Sequence, residues 1–239
     1  MGQKKLLRFS AIKDFSNVLE YPENMPGTWA KHFKNHNPII LELACGRGEY
    51  TIGLAKLFRD QNFIGVDIKG NRIYIGAKNC LDNNISNAAF LRTQIAMLPA
   101  YFAKNEVEEI WLTFPDPQLR TSRAKKRLTH PLFLRLYQQV LVPGGFVHLK
   151  TDSPALYHFT KKVIELYQLH LVEDNDNVYT QNVSDELKIK THYESLDIAQ
   201  SNTIFYLKFT LPDEIGDRDK ELQQILKETE NQVPHEQAD

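Results

Sequence analysis

Cysteine is scarce in this chain of 239 residues, and its two cysteines, Cys45 and Cys80, are too few for a disulfide framework or a four-cysteine metal site. No apolar run reaches the roughly 18 to 20 residues that a membrane-spanning helix needs. The first residues, MGQKKLLRF, lack the apolar core and the small-residue cleavage site of a secretory signal. We therefore expect a cytoplasmic protein that binds neither a membrane nor a metal ion.

An excess of charge of either sign is also missing, since 29 Lys and Arg residues stand against 30 Asp and Glu residues. This balance is an average over two unlike parts of the chain. Residues 212–239 contain nine acidic and three basic residues, a net charge of −6, whereas the residues before them have a net charge of +5. The sequence thus favours a mildly basic body followed by a solvated acidic tail.

Strand and helix patterns alternate along the chain, which predicts an α/β fold with a mostly parallel sheet and helices on both faces. Short apolar runs predict strands at 38–43, 62–67, 88–92, 107–114 and 146–150, and helices are predicted at 50–58, after Gly70, at 128–142 and from Pro154. Runs at 169–172 and 203–210 complete a seven-stranded sheet with one antiparallel strand. We divide the chain into an N-terminal arm (1–37), one domain (38–211) and the acidic C-terminal tail (212–239).

The loop after the first strand, with the sequence ELACGRG, is the first sign of a nucleotide ligand. Gly46 and Gly48 let the backbone approach a ligand closely, and Asp67, which ends the second strand, can accept hydrogen bonds from two ribose hydroxyls. A dinucleotide fingerprint needs a third glycine, where this chain has Thr51. Glu42 would repel a pyrophosphate but suits the cationic methionine end of S-adenosylmethionine. The pattern therefore favours the methyl donor over a nicotinamide cofactor.

A stiff loop and a basic run follow the fourth strand. In the sequence Phe114-Pro115-Asp116-Pro117, the two prolines restrict the backbone and hold Asp116 beside the predicted donor pocket. Five cations come directly after it within eight residues: Arg120, Arg123, Lys125, Lys126 and Arg127. A plain turn and a solvated charged face are the simpler interpretations. The position beside the pocket favours binding to nucleic-acid phosphates, and Lys150 and Arg135 would extend this basic surface.

Taken together, these blocks resemble the bacterial tRNA (guanine-N7)-methyltransferases over roughly residues 38–210. The shared motifs are Glu42-x-x-x-Gly46-x-Gly48, Asp67, Phe114-Pro115-Asp116-Pro117, Lys125-Lys126-Arg127-Leu128, Thr151-Asp152 and Thr191-His192-Tyr193-Glu194. The resemblance implies a seven-stranded, Rossmann-like methyltransferase fold. It also implies methyl transfer from S-adenosylmethionine to N7 of a guanosine in tRNA, at position 46 of the variable loop.

The same resemblance implies a role for each matching residue, with Asp116 as the catalytic residue. The residues that would bind the methyl donor are Glu42, Gly46, Gly48, Asp67, Gln94 and Asp116. Those that would hold the target nucleotide are Arg120, Asp152, Thr191, Tyr193 and Glu194. The charge of the basic run, rather than the resemblance, assigns contacts with the tRNA backbone to Arg123, Lys125, Lys126 and Arg127.

Four positions depart from the family's pattern, and they leave alternatives open. Ala44 stands in place of a glycine, Gln94 of an acidic residue, Gln118 of a tryptophan and Arg120 of a lysine. The alternatives are a tRNA-binding partner with weakened catalysis and a methyltransferase that acts on another RNA. A nicotinamide-dependent oxidoreductase is the alternative from another reaction class, but the chain lacks its third glycine. A monomer and a homodimer are both compatible with the sequence.

Overall fold

One eight-stranded sheet organises residues 3–180, 182–195 and 203–232, which are the residues that this computed structural model describes. The strands are β1 (Val18–Glu20), β2 (Ile39–Leu43), β3 (Asn62–Asp67), β4 (Ala88–Arg92), β5 (Val107–Thr113), β6 (Leu141–Thr151), β7 (His170–Asn175) and β8 (Phe205–Thr210). Their order across the sheet is β1-β4-β3-β2-β5-β6-β8-β7. Strand β8 runs antiparallel to both of its neighbours, and the other neighbouring pairs are parallel. The predicted mostly parallel sheet with one antiparallel strand is confirmed.

Helices cover both faces of this sheet. They are α1 (Gln3–Ala11), α2 (Trp29–Phe33), α3 (Glu49–Leu57), α4 (Gly70–Asp82), α5 (Pro131–Gln138), α6 (Pro154–Leu166), α7 (His192–Ser195) and α8 (Asp219–Gln232). Helices α3 and α4 contribute to one hydrophobic cluster, and α5 and α6 contribute to another. Within the described ranges, no helix is long and apolar enough to cross a membrane.

The eighth strand, β1, comes from the first 37 residues and was not predicted, because three residues are too short a run to show a pattern. It pairs in parallel with β4 at the edge of the sheet. Further along the same segment, Trp29 is fully buried and stacks on Phe102, with 5.2 Å between the ring centroids. Its Nε1 donates a hydrogen bond to the Tyr101 carbonyl at 2.9 Å. Part of the N-terminal segment therefore packs directly against the core.

Helix α5 is shorter than the predicted span of 128–142. It begins at Pro131, where a proline costs no helical hydrogen bond, and the His130 side chain caps it by accepting from the Leu132 amide. The chain then enters β6 at Leu141, and the carbonyl of buried Val140 accepts hydrogen bonds from the amides of Glu106 and Val107 at the start of β5. The backbone of the Pro143-Gly144-Gly145 segment thus belongs to a strand.

The acidic segment after β8 packs against the body of the protein. Leu222 is fully buried, Ile215 is buried in the same cluster, and Asp219 accepts hydrogen bonds from Arg135 at 2.9 Å and from Tyr167 at 2.7 Å. The prediction of a solvated tail is wrong for this stretch, since apolar residues on one face of α8 find partners in the core. The suggestion that Arg135 extends the basic surface is also wrong, because its guanidinium is paired with Asp219.

Candidate active site

A cavity of about 630 Å³ opens at the carboxyl ends of the central strands. This is the edge at which open α/β sheets bind ligands, and the volume suits a small molecule. Five of the six residues predicted to bind the methyl donor line it: Glu42, Gly46, Asp67, Gln94 and Asp116. Gly48 does not. A Cβ atom on Gly48 would lie 2.4 Å from the Phe90 ring, and its φ is +70°, so this glycine allows the turn to pack against β4.

Asp67 joins the loops that follow β2 and β3. One carboxylate oxygen accepts a hydrogen bond from the Gly46 amide at 2.9 Å, and the other accepts one from the Lys69 amide at 2.8 Å. An ionised carboxylate has about four acceptor positions, so capacity remains for hydroxyl groups of a ligand. The backbone around it is tightly turned, since Gly46 has a φ of +58° and Ala44 has a φ of +59°.

Glu42 lies at the floor of the cavity and is 3% exposed. Its carboxylate accepts hydrogen bonds from the amide and the hydroxyl of Thr51 and from the Thr113 hydroxyl at 2.6 Å. Burial raises the pKa of Glu42 to about 7, although these hydrogen bonds oppose the shift. A carboxyl group in this state can gain its negative charge when a cationic ligand group arrives.

Asp116 stands at the mouth of the cavity, exposed, in the loop that leaves β5. One of its carboxylate oxygens accepts a hydrogen bond from the Gln118 amide at 3.0 Å, which fixes the side chain in an Asx turn. Phe114 and Gln118 on either side have φ values of +47° and +46°, so the loop has two left-handed residues that are not glycine. The Asp116 side chain therefore lines the mouth of the cavity from a loop whose backbone is tightly turned.

Comparisons with known proteins agree with this geometry. A family model described as "Putative methyltransferase" matches residues 36–207. The tRNA (guanine-N(7)-)-methyltransferase of Bacteroides fragilis (strain YCH46) is 46% identical over 224 residues, which cover 90% of this chain and 88% of the relative. The corresponding protein of Porphyromonas gingivalis (strain ATCC BAA-308 / W83) is 47% identical over 213 residues, or 84% of this chain and 86% of the relative. This chain belongs to the tRNA (guanine-N7)-methyltransferase family.

Solved structures show the same methyltransferase fold at low sequence identity. The 16S rRNA methyltransferase KamB superposes with a TM-score of 0.60 at 13% identity, and the match covers 82% of this chain and 99% of that one. A single-residue mutant of the 16S rRNA (adenine(1408)-N(1))-methyltransferase from Catenulisporales acidiphilia, solved with its cosubstrate S-adenosylmethionine, gives a TM-score of 0.55 at 15% identity over 79% of this chain and 91% of that one. At this distance the likeness concerns the fold alone.

The basic run of this family member divides into exposed and buried cations. The exposed ones are Arg120, Arg123, Lys125 and Lys126. Arg127, in contrast, is 5% exposed, and its guanidinium donates to the carbonyls of Pro117, Gln118 and Leu119 at 3.1 to 3.3 Å while it stacks on the Phe159 ring. The Nε and Nη2 groups of Arg127 thus hold the Asp116 loop, and this geometry does not support the predicted contact of Arg127 with tRNA phosphates.

The predicted target-nucleotide residues are spread over several places. Thr191 lines the cavity, whereas Arg120 is exposed and Asp152 half-buried outside the cavity lining. The Glu194 side chain is 1% exposed, and its carboxylate forms an ion pair with the Lys150 ammonium at 3.1 Å. The side chain of Tyr193 lies outside the described part of the structure.

Sequence reasoning missed several residues that line the cavity, above all Arg47, Lys69, Arg72, Thr93 and Thr113. The Thr93 hydroxyl is buried and has no hydrogen-bond partner within the described residues. The available signal was their position, since Thr93 directly follows β4, Thr113 ends β5, and Lys69 comes two residues after β3. Each of these three residues thus stands at the carboxyl end of a strand, where open α/β sheets bind ligands.

A cysteine and a pair of histidines were further candidates for a chemical role. Cys45 also lines the cavity, but burial raises the pKa of its thiol well above the ordinary value, which disfavours the thiolate. His32 and His36 stand four residues apart, a spacing that can suit a metal ion. Among the described residues, however, no group of three or more His, Cys, Asp or Glu side chains is arranged to hold one.

Proposed function

We propose that this protein transfers a methyl group from S-adenosylmethionine to N7 of a guanosine in the variable loop of tRNA. The observation that carries the proposal is the cavity at the carboxyl ends of the strands, in a chain that belongs to this family. Glu42, Asp67 and Asp116 line it from the ends of three different strands. The proposed substrate implies a cytoplasmic location, with the protein acting as a monomer or a homodimer.

The residues of the cavity fit the proposed donor. Glu42 would bind the amino group of its methionine end, Asp67 would accept hydrogen bonds from the ribose hydroxyls, and Gln94 would bond to the adenine. The Thr93 hydroxyl, which has no partner among the described residues, adds a further polar group beside Gln94. When bound, S-adenosylmethionine supplies an electrophilic methyl group on a positively charged sulfur.

The chemistry of the target requires no strong base at the mouth of the cavity. Guanine N7 has an exposed lone pair and no proton, so alignment is the main requirement, and alignment contributes roughly 7 to 11 kcal/mol in well-oriented reactions. Positive charge develops on the guanine ring during transfer. The Asp116 carboxylate, which accepts a hydrogen bond from the Gln118 amide, would stabilise that charge.

The target base has to leave its stacked position in the RNA and enter this cavity. The exposed cations Arg123, Lys125 and Lys126 stand in the turn after the Asp116 loop, where they would bind backbone phosphates and offset the cost of unstacking. The neighbouring Arg120 would contact the target nucleotide.

The test is methyl transfer from labelled S-adenosylmethionine to bulk tRNA, followed by nucleoside analysis of the product. We expect 7-methylguanosine, and we expect it to disappear when the variable-loop guanosine of a transcribed tRNA is replaced by adenosine. Methylation of ribosomal RNA without methylation of tRNA would show that the substrate is wrong. Failure to bind the donor in a calorimetric titration would show that the reaction class is wrong.

A further inference from the structure

A lysine at the end of β6, Lys150, is fully buried between the sheet and the segment that follows β7. Its ammonium donates hydrogen bonds to the Leu187 carbonyl at 2.9 Å, to the Ile189 carbonyl at 2.8 Å and to a Glu194 carboxylate oxygen at 3.1 Å. A lysine ammonium has three N–H donors, so all of them are used. The earlier suggestion that Lys150 extends the phosphate-binding surface is therefore wrong.

The three acceptors of Lys150 lie on both sides of Thr191, the residue of this segment that lines the cavity. The Glu194 oxygen that contacts Lys150 also accepts a hydrogen bond from the Thr191 amide at 3.3 Å, and the Thr191 hydroxyl accepts one from the Glu194 amide at 3.1 Å. This reciprocal pair is a capping box at the start of α7. The same Glu194 oxygen thus links the Lys150 ammonium to the backbone amide of Thr191.

Lys150 also contacts the loop that carries Asp116. Its ammonium lies 5.7 Å from the centre of the Phe114 ring and 5.4 Å from that of Tyr50, within the range of cation–π attraction. The carbonyl of Lys150 accepts a hydrogen bond from the Phe114 amide at 2.8 Å. One buried residue therefore connects two walls of the cavity: its side chain bonds to the Thr191 segment, and its backbone carbonyl and a ring contact reach the Asp116 loop.

Apolar contacts attach the Thr191 segment as well, but they are less directional. Leu187 is buried in the cluster beside α3, and Ile189 packs so closely on that helix that a Cβ atom at Gly53 would lie 2.7 Å from it. Such contacts keep the segment on the helix without fixing the orientation of Thr191. A buried charge is costly unless its partners are well placed, and the placement of these partners makes Lys150 specific for one arrangement of the segment.

We propose that Lys150 is a positioning residue, which holds Thr191 in the cavity wall at a fixed distance from the Asp116 loop so that the target base is aligned. The proposal rests on the proposed function, because alignment matters only if a base enters the cavity. Lys150 is not among the residues that line the cavity, so it acts through Glu194 and Thr191.

The experiment compares three full-length variants with the wild-type protein. Lys150→Met removes the ammonium and keeps most of the side-chain length, and Lys150→Met combined with Glu194→Gln removes both charges so that no buried carboxylate is left unpaired. The matched control is Lys161→Met, which breaks a lysine–carboxylate pair with Asp174 at the surface of α6. For each protein we would measure amide hydrogen exchange, S-adenosylmethionine affinity by calorimetry, and kcat and KM for methylation of tRNA.

We expect faster exchange at the amides of residues 187–194 in both Lys150 variants, with unchanged exchange in β2 and β5. We expect kcat to fall about 10- to 100-fold, as for a misplaced reacting group, while donor affinity changes less than about twofold. The Lys161→Met control should match the wild type in every measurement.

Three results would overturn the proposal. One is wild-type exchange at residues 187–194 in the double variant, and another is a loss of donor affinity as large as the loss of kcat. The third is accelerated exchange throughout β2 and β5 in both Lys150 variants, which would mean that Lys150 stabilises the whole fold rather than this segment. A wild-type protein that makes no 7-methylguanosine would instead refute the proposed function, and the exchange measurements would still decide whether Lys150 fixes the segment.

Discussion

Replacing Glu42 with glutamine tests how the buried carboxyl group of the cavity couples folding to pH. The side chain is 3% exposed, and burial raises its pKa from an ordinary value of 4.5 to about 7. The folded protein therefore binds this proton more tightly than the unfolded chain does. Its contribution to stability is complete below pH 4.5 and is lost as the pH rises through 7.

The size of the effect follows from the shift. One pKa unit corresponds to about 1.4 kcal/mol, so this group alone lowers the free energy of unfolding by about 3 kcal/mol between pH 4.5 and pH 8. Urea denaturation of the wild type and of Glu42→Gln at several pH values measures it. The difference between the two curves isolates Glu42, because the other ionisable groups are common to both proteins. At pH 8 the variant should be the more stable protein.

A surface control makes the test specific. Asp82→Asn removes an exposed carboxylate, which pairs with Lys78 on α4, and its pH dependence should follow the wild type. Parallel wild-type and Glu42→Gln curves from pH 5 to pH 8 would refute the reasoning, because they would mean that Glu42 does not titrate in this window.

The same ionisation of Glu42 should also affect the binding of the methyl donor. Since the charged form is the one that attracts a cation, the ratio of wild-type to variant affinity should rise about tenfold between pH 6 and pH 8.

Three further variants address the reaction, the RNA surface and the core. Asp116→Asn should reduce methyl transfer about 100-fold while donor affinity stays within about twofold, and equal losses of both would contradict a role in transfer. Arg123→Gln combined with Lys126→Gln should weaken tRNA binding and reduce the slope of log affinity against log salt by about 2, whereas an unchanged slope would leave these cations as a solvated face. Leu222→Ala should lower the free energy of unfolding by about 2 to 5 kcal/mol in urea denaturation, and a loss below about 0.5 kcal/mol would mean that α8 is not part of the core.

Strands β2 to β5 were predictable to within one residue, whereas β6 begins at Leu141, five residues before the predicted strand. Strands buried on both faces form continuous apolar runs, as at β2, β3 and β4, and the small or polar residues after them mark the ends. The edge strand β1 escaped prediction because its three half-buried residues carry no periodic signal. The packing of α8 also escaped, since a count of acidic residues does not show that Leu222 lies on the face turned inward.

The two sides of the site were predictable to different degrees. Glu42 and Asp67 follow from position alone, because the end of each parallel strand reaches the same edge of the sheet. Glu194 and Lys150 did not follow, since a charged residue looks the same in a sequence whether it faces water or a buried partner. They lie 44 residues apart in the chain, and only the tertiary structure shows that their charged groups are 3.1 Å apart in space.

The inward orientation of Arg127 limits how much of the basic run serves RNA binding. Three exposed cations of the run, Arg123, Lys125 and Lys126, are proposed to bind phosphates, and each such contact contributes about 0.9 to the salt slope, so they account for a slope of about 3. Arg127→Gln should leave that slope unchanged, because its guanidinium bonds to the carbonyls of Pro117, Gln118 and Leu119. It should instead lower kcat, because the loop that presents Asp116 loses its support. A reduced salt slope with a normal kcat would mean that Arg127 turns outward to a phosphate when tRNA binds.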